Sequence, residues 1–213
     1  MHIEFLVEEP SAEEALKVLV PAITAGCCSF AIRTYQGKQQ LLSRLANRLR
    51  GYRAWITEDY RIVVLIDEDR QDCSTLKGQL EAASRSAGLT TKSSCKRGKE
   101  FQVLNRVAVE ELEAWFLGDV EALREAFPRV PAGLKRRKTF RDPDAVPGGT
   151  AEALRAVLQR AGYFRRLKHL PKQEIAKRIS KYMDPQRNRS KSFQVFRDGL
   201  LEMIRCETQT RSP

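Results

Sequence analysis

The chain has 213 residues, 42% hydrophobic and 31% charged, with a formal net charge of +11. That balance excludes collagen-like, low-complexity and largely disordered chains, and the length lets a core form without disulfide or metal staples. The charge is uneven: residues 135–213 hold 20 Lys/Arg against 8 Asp/Glu, a net of +12, whereas residues 1–134 hold 18 against 19, a net of −1.

Residues 2–7 form a short apolar run that ends at Glu8-Glu9-Pro10, where proline cannot extend a central ladder. Ser11 with Glu14 three residues on reads as a capping box, and Ala15, Leu16, Leu19 and Val20 give the helical stripe that follows. A second strand over Cys28 to Tyr35 leads through Gly37 to a helix over Lys38 to Arg50, with Leu41, Leu42, Leu45 and Leu49 on one side and Gly51 as its left-handed cap. Residues 61–66, Arg-Ile-Val-Val-Leu-Ile, are continuously apolar and β-branched, the pattern of a strand buried on both faces, and stop at Asp67-Glu68-Asp69. Ser74 opens a helix to about Ala87, closed by Gly88. Phe101 to Val109 is a fourth strand, followed by a helix over Glu110 to Gly118.

Strands alternating with amphipathic helices predict an α/β fold with a mostly parallel sheet covered on both faces. Beyond residue 119 the pattern is helical: Asp119 to Phe127, a Pro/Gly-rich connector over 128–149, then Thr150 to Ala161, Lys172 to Met183 and Ser192 to Ile204. Residues 1–119 therefore read as the α/β core and 120–213 as a basic helical extension packed on or beside it. Cys27, Cys28, Cys73, Cys95 and Cys206 show no C-x-x-C spacing, and two histidines are too few for a histidine metal site. No apolar run approaches the ~18 residues of a membrane span. Glu4, Glu8 and Glu9 occupy the stretch that a signal peptide would make basic and then apolar. The expectation is a cytoplasmic protein with no membrane partner.

In an open parallel sheet, chemistry collects beyond the carboxyl ends of the strands, where the winding reverses. With strand order 2-1-3-4, strands one and three are neighbours, and Glu8 after strand one and Asp67 with Asp69 after strand three would lie only a few Å apart. Three unpaired carboxylates so placed repel, and a hard divalent cation neutralises them. Residues i and i+2 of an extended chain point the same way, which would aim Asp67 and Asp69 at one ion. Glu110 and Glu113, on one face of a helix, are candidates for a second ion. Lys38, after Gly37, is a candidate for stabilising phosphoryl charge.

An apolar strand ending in Glu, then a turn and helix, then an apolar strand ending in Asp-x-Asp, resembles the Toprim domain of topoisomerases, primases and overcoming-lysogenization-defect nucleases. The segments are Phe5-Leu-Val-Glu-Glu-Pro-Ser-Ala-Glu-Glu-Ala-Leu16 and Val63-Val-Leu-Ile-Asp-Glu-Asp69. More closely, Glu4-Phe-Leu-Val-Glu-Glu-Pro-Ser11, Leu49-Arg-Gly-Tyr52 and Asn105-Arg-Val-Ala-Val-Glu-Glu-Leu-Glu-Ala-Trp-Phe-Leu-Gly-Asp119 resemble the bacterial Toprim-like family DUF4276 over most of the chain. The Toprim resemblance implies Glu8 as general acid/base and Asp67 and Asp69 as ligands of Mg²⁺ (or Mn²⁺). It also implies nuclease activity and an ABC-type ATPase partner in anti-phage defence. Glu9 departs from the pattern: Toprim domains carry a glycine there, which lets the backbone approach a ligand.

Three basic groups are candidates for nucleic acid: Lys135, Arg136, Arg137 and Lys138; Arg165 and Arg166 with Lys168, beside Tyr163 and Phe164; and Arg187, Arg189 and Lys191 ahead of a helix N-terminus, which favours phosphate. A second copy of the chain is a further candidate partner. Two other functions stay open at this stage. One is a receiver-like phosphorylation switch at Asp67. The other is a non-catalytic scaffold in which the acids only solvate a sheet edge.

Overall fold

In the computed structural model, residues 1–69, 71–96 and 98–210 are described, the last six by backbone alone. The elements run β1 (His2–Val7), α1 (Pro10–Thr24), β2 (Ser29–Thr34), α2 (Lys38–Trp55), β3 (Tyr60–Asp67), α3 (Cys73–Ser86), β4 (Val103–Ala108), α4 (Glu113–Gly118) and α5 (Val120–Ala126). Two short 3-10 turns (Ala132–Arg136 and Lys138–Phe140) then lead to α6 (Thr150–Arg160), α7 (Lys172–Ser180) and α8 (Lys191–Thr210). The four strands are all parallel in the order β2-β1-β3-β4, so β1 and β3 are neighbours, as expected.

Alternation along the strands sorts side chains to two cores. Ile3, Phe5, Val7, Val63 and Leu65 face α1 and the C-terminal helices; Leu6, Ile62, Val64 and Ile66 face α2 and α3. The first core is continuous from β1 through Leu16 and Leu19 of α1 to Ile175 of α7 and Phe193, Phe196 and Leu200 of α8. The helices after residue 119 thus share the core of the α/β layer. Among the described residues, no helix is long and apolar enough to cross a membrane.

Several element ends differ from the sequence expectation. Helix α1 begins at Pro10 with Glu9 as its N-cap residue, and the Ser11 hydroxyl donates to Glu9 Oε1 at 2.6 Å. Helix α2 passes through Gly51 to Trp55, because Tyr52 continues the buried stripe of Leu41, Leu45 and Leu49. A mid-helix glycine costs only about 1 kcal/mol, which that packing offsets. Asp72 rather than Ser74 caps α3, accepting from Thr75 N at 2.8 Å. Helix α4 has six residues and starts at Glu113, leaving Glu110 in the connector before it.

Candidate functional site: an acidic cluster at the carboxyl edge

Val7 pairs with Leu65 across the β1–β3 ladder, so Glu8 leaves β1 beside Ile66 and Asp67, which finish β3 still paired to β4. Glu8 Oε2 accepts from the Asp67 backbone N–H at 3.2 Å. Asp67 continues the odd-numbered face of β3, the face covered by α1 and the later helices, and is 8% exposed. From that side α4 contributes Glu113, also buried, and α7 contributes Lys172. The Lys172 ammonium lies 3.3 Å from Glu9 Oε1 and 3.5 Å from Glu113 Oε1.

Electrostatics reflect that crowding. Burial raises the Asp67 carboxyl well above the usual aspartate range, and the charges of Glu113, Glu8 and Glu9 add to the rise. Glu8 is raised by burial too, against the opposing pull of the Asp67 N–H and Lys38. Glu113 is raised by burial with Lys172 pulling the other way. Burial works against the charge on Lys172, but Glu113, Glu9 and Asp67 outweigh it and its pKa ends up raised. No described residue donates a hydrogen bond to the Asp67 carboxylate, and the buried Oε2 of Glu113 has no hydrogen-bond partner among the described residues.

The expected site residues divide. Glu8, Asp67 and Glu113 come together. Asp69 adopts left-handed backbone, φ 52°, so the i, i+2 rule for extended chain no longer applies, although its charge still acts on Glu8 and helps to raise it. Its carboxylate is 2.6 Å from Lys38 Nζ, which also donates to Glu68 O at 3.0 Å. Lys38 thus holds the 67–69 turn, and its charge also acts on Glu8. Glu110 is also committed, accepting from Thr150 N at 3.2 Å, and Glu111 accepts from Ala151 N at 3.0 Å. Together they complement the start of α6, and Glu110 is not placed as a second-ion ligand.

The basic groups divide as well. Arg187 makes a two-pronged ion pair with buried Asp119, at 2.9 and 3.0 Å. Arg189 bonds Phe140 O at 3.2 Å. The α8 start beside exposed Lys191 is already satisfied: Asp144 accepts from Ser192 N at 3.0 Å and from the Ser190 hydroxyl at 2.6 Å. The expectation of phosphate at that helix end is corrected accordingly. Lys135 pairs with Glu121 at 2.6 Å, while Arg136, Arg137 and Lys138 are exposed on the 3-10 turns. Arg165 and Arg166 are exposed. Lys168 lines a cavity of about 250 Å³ with His169 and Arg155, and Glu113 and Lys172 form part of the same wall.

Sequence reasoning passed over Lys172, and met Glu9 only as a departure from the Toprim pattern. Nothing in Pro171-Lys172 distinguishes it from any other helix start.

Among the described residues, no group of three or more His, Cys, Asp or Glu side chains is arranged to hold a metal ion. Magnesium, however, keeps several waters and takes as few as one or two protein carboxylates. Asp67 and the unpartnered Oε2 of Glu113 are hard oxygen donors of that kind, and Glu8 is the third acid beside them.

The fold and this edge define a parallel α/β protein with an acidic, lysine-bridged cluster at its β1–β3 switch point. The sequence model of a domain of unknown function, DUF4276, matches residues 7–201, and the chain belongs to that family. No curated protein and no solved structure matches it.

Proposed function

We propose that the chain hydrolyses phosphodiester bonds in nucleic acid with the help of a divalent cation, Mg²⁺ or Mn²⁺, held by Asp67 and Glu113. The observation that carries this reading is a buried acidic group at the carboxyl edges of β1 and β3 with an unpartnered carboxylate oxygen, Glu113 Oε2, and with Lys172 as the ammonium that contacts it. Bound there, the cation would supply Lewis-acid polarisation and a water of lowered pKa. Glu8, oriented by the Asp67 N–H and raised in pKa, holds a proton closer to neutrality than an ordinary glutamate. That suits it to exchange a proton with an attacking water or a leaving oxygen. Lys172, Lys168 and Arg155 give an approaching phosphate a cationic wall beside the acids. The Toprim resemblance points the same way.

The test incubates labelled DNA and RNA, single- and double-stranded, with Mg²⁺ or Mn²⁺ and compares the wild type with Glu8→Gln, Asp67→Asn and Glu113→Gln. Each substitution is expected to lower cleavage by about 10²-fold or more. Mn²⁺ binding followed by electron paramagnetic resonance should weaken in Asp67→Asn and Glu113→Gln. Cleavage that persists undiminished in all three variants refutes the assignment. A second reading, phosphotransfer to Asp67, draws on the nearby Lys172 charge; labelling of Asp67 by acetyl phosphate, without nucleic-acid cleavage, would select it.

A further inference from the structure

On the face of the sheet opposite the one covered by α1 and the later helices, helix α2 carries a second stripe. Leu41, Leu45, Leu49 and Tyr52 turn inward, whereas Arg44, Arg48, Gly51 and Trp55, spaced four, three and four residues apart, turn outward. This stripe forms one wall of a groove of about 570 Å³ whose other wall is the exposed edge of the sheet, with Arg33 of β2 and Tyr35 just past its end.

Four features of the groove point to a ligand. Trp55 is 54% exposed, the highest value among the large hydrophobic side chains described. Its ring is propped from within by Tyr52 and Tyr60, at centroid distances of 5.5 and 5.2 Å. Arg44 and Arg48 have no acidic partner among the described residues; Glu4, also in the lining, is taken up by Arg33 at 3.3 Å and the Tyr52 hydroxyl at 3.3 Å. Gly51 sits between the arginines and Trp55 with nothing within 4 Å of the place a Cβ would occupy, so the groove is open there. Finally, Tyr35, 7% exposed and lining the groove, has a buried hydroxyl with no hydrogen-bond partner among the described residues, and a buried polar group left unsatisfied is costly.

We infer that this groove binds single-stranded nucleic acid, with a base stacked on Trp55, phosphates on Arg44 and Arg48, and the Tyr35 hydroxyl bonded to the bound strand. Unpaired guanidinium groups beside an accessible aromatic ring are the elements of a single-strand site, because only unpaired bases offer their faces. At one end the groove reaches the carboxyl edge of the sheet. Tyr35 N donates to Val7 O at 2.9 Å and Gly37 N to Glu8 O at 3.0 Å, so its Tyr35 end adjoins the edge where Glu8 and Asp67 stand. In this respect the inference names the substrate of the hydrolase proposed above and rests on that reading; the binding itself does not.

The chain supplies its own reporter. Of its two tryptophans, Trp115 is fully buried and donates to the Ser192 hydroxyl at 3.0 Å, so a ligand in the groove alters only the emission of Trp55. Labelled oligodeoxythymidylate and oligouridylate, a duplex of equal length and polyglutamate are titrated into the full chain in EDTA, following tryptophan emission and anisotropy together. The single strands should quench Trp55. Trp55→Ala, and separately Arg44→Glu with Arg48→Glu, should weaken binding about tenfold or more, with Tyr35→Phe weaker by a smaller factor and thermal melts unchanged for the exposed sites. Single-strand binding without quenching, unchanged affinity in both sets of variants, or equal quenching by duplex or polyglutamate overturns the inference. Asp67→Asn should bind as the wild type does. Lost cleavage with retained binding, or the reverse, therefore separates failure of the hydrolase reading from failure of the groove.

Discussion

Replacing Asp67 by asparagine should make the metal-free protein more stable. Asp67 is 8% exposed, its carboxylate receives no hydrogen bond from a described residue, and Glu8, Glu9 and Glu113 surround it. An uncompensated buried charge costs about 3–5 kcal/mol. Lys172 offsets part of this, but its side chain is 42% exposed, so solvent screens the attraction towards the ~1 kcal/mol or less of a surface pair. Asparagine keeps the shape, removes the charge and offers an N–H to neighbouring acids. We expect a gain of about 2 kcal/mol near pH 8, which for a chain of this size is roughly 4–8 °C in Tm. The sign follows from linkage: a carboxyl whose folded pKa is raised favours folding below its ordinary range and loses that contribution as pH climbs through the raised value. The gap between variant and wild type should therefore close below the ordinary aspartate value of 3.8 and open as pH rises. Saturating Mn²⁺ should reverse the order, adding about 2.7 kcal/mol to the wild type at a hundredfold excess over Kd and little to the variant. Thermal melts across pH, in EDTA and in Mn²⁺, test both halves. A variant no more stable than wild type in EDTA near pH 8, or equally stabilised by Mn²⁺, refutes the electrostatic reasoning.

Two further expectations concern how the later helices are anchored. Asp119 is fully buried and accepts from Ala122 N at 3.1 Å, Asp184 N at 2.9 Å and both prongs of Arg187. Asp119→Ala removes a helix cap and a buried partner at once and should cost about 3 kcal/mol in urea denaturation, kept from being larger by the rehydration of half-exposed Arg187. A loss under about 1 kcal/mol would contradict that bonding. A Cβ at Gly118 would fall 2.2 Å from Asn188 Oδ1 and 2.9 Å from Ser190 N, so Gly118→Ala should cost about 1–3 kcal/mol through overpacking. Because both residues hold the same 184–190 segment, the double variant should lose less than the sum, as a double-mutant cycle would show.

The strands and their order were legible because a buried parallel strand leaves an unmistakable trace, as in Ile62-Val-Val-Leu-Ile66, and because few windings fit alternating strands and helices. The Glu8–Asp67 meeting followed from the same topology. What local pattern could not supply was the behaviour of chain that leaves regular structure. Asp69 turns left-handed and reaches Lys38, and Glu110 lies in a connector and serves α6. Part of the basic runs is taken up within the protein for a related reason. Charge in sequence does not say which cation has an acid waiting for it, and Asp119 for Arg187 and Asp144 for the α8 start are both supplied from distant segments.

Lys172 is the strongest instance, and it bears on how the site is built. The neutral part of the chain provides the acids and the basic part provides the ammonium set among them, on a helix whose Ile175, Ala176 and Ile179 belong to the same core as Leu16, Leu19 and Ile23 of α1. Residues 1–119 alone would leave that apolar face of α1 without α7 and α8 and the acidic cluster without its cation. Apolar burial and charge compensation thus favour the same docking of α7, and the acids acquire their final electrostatic environment only once the C-terminal helices have folded onto the sheet.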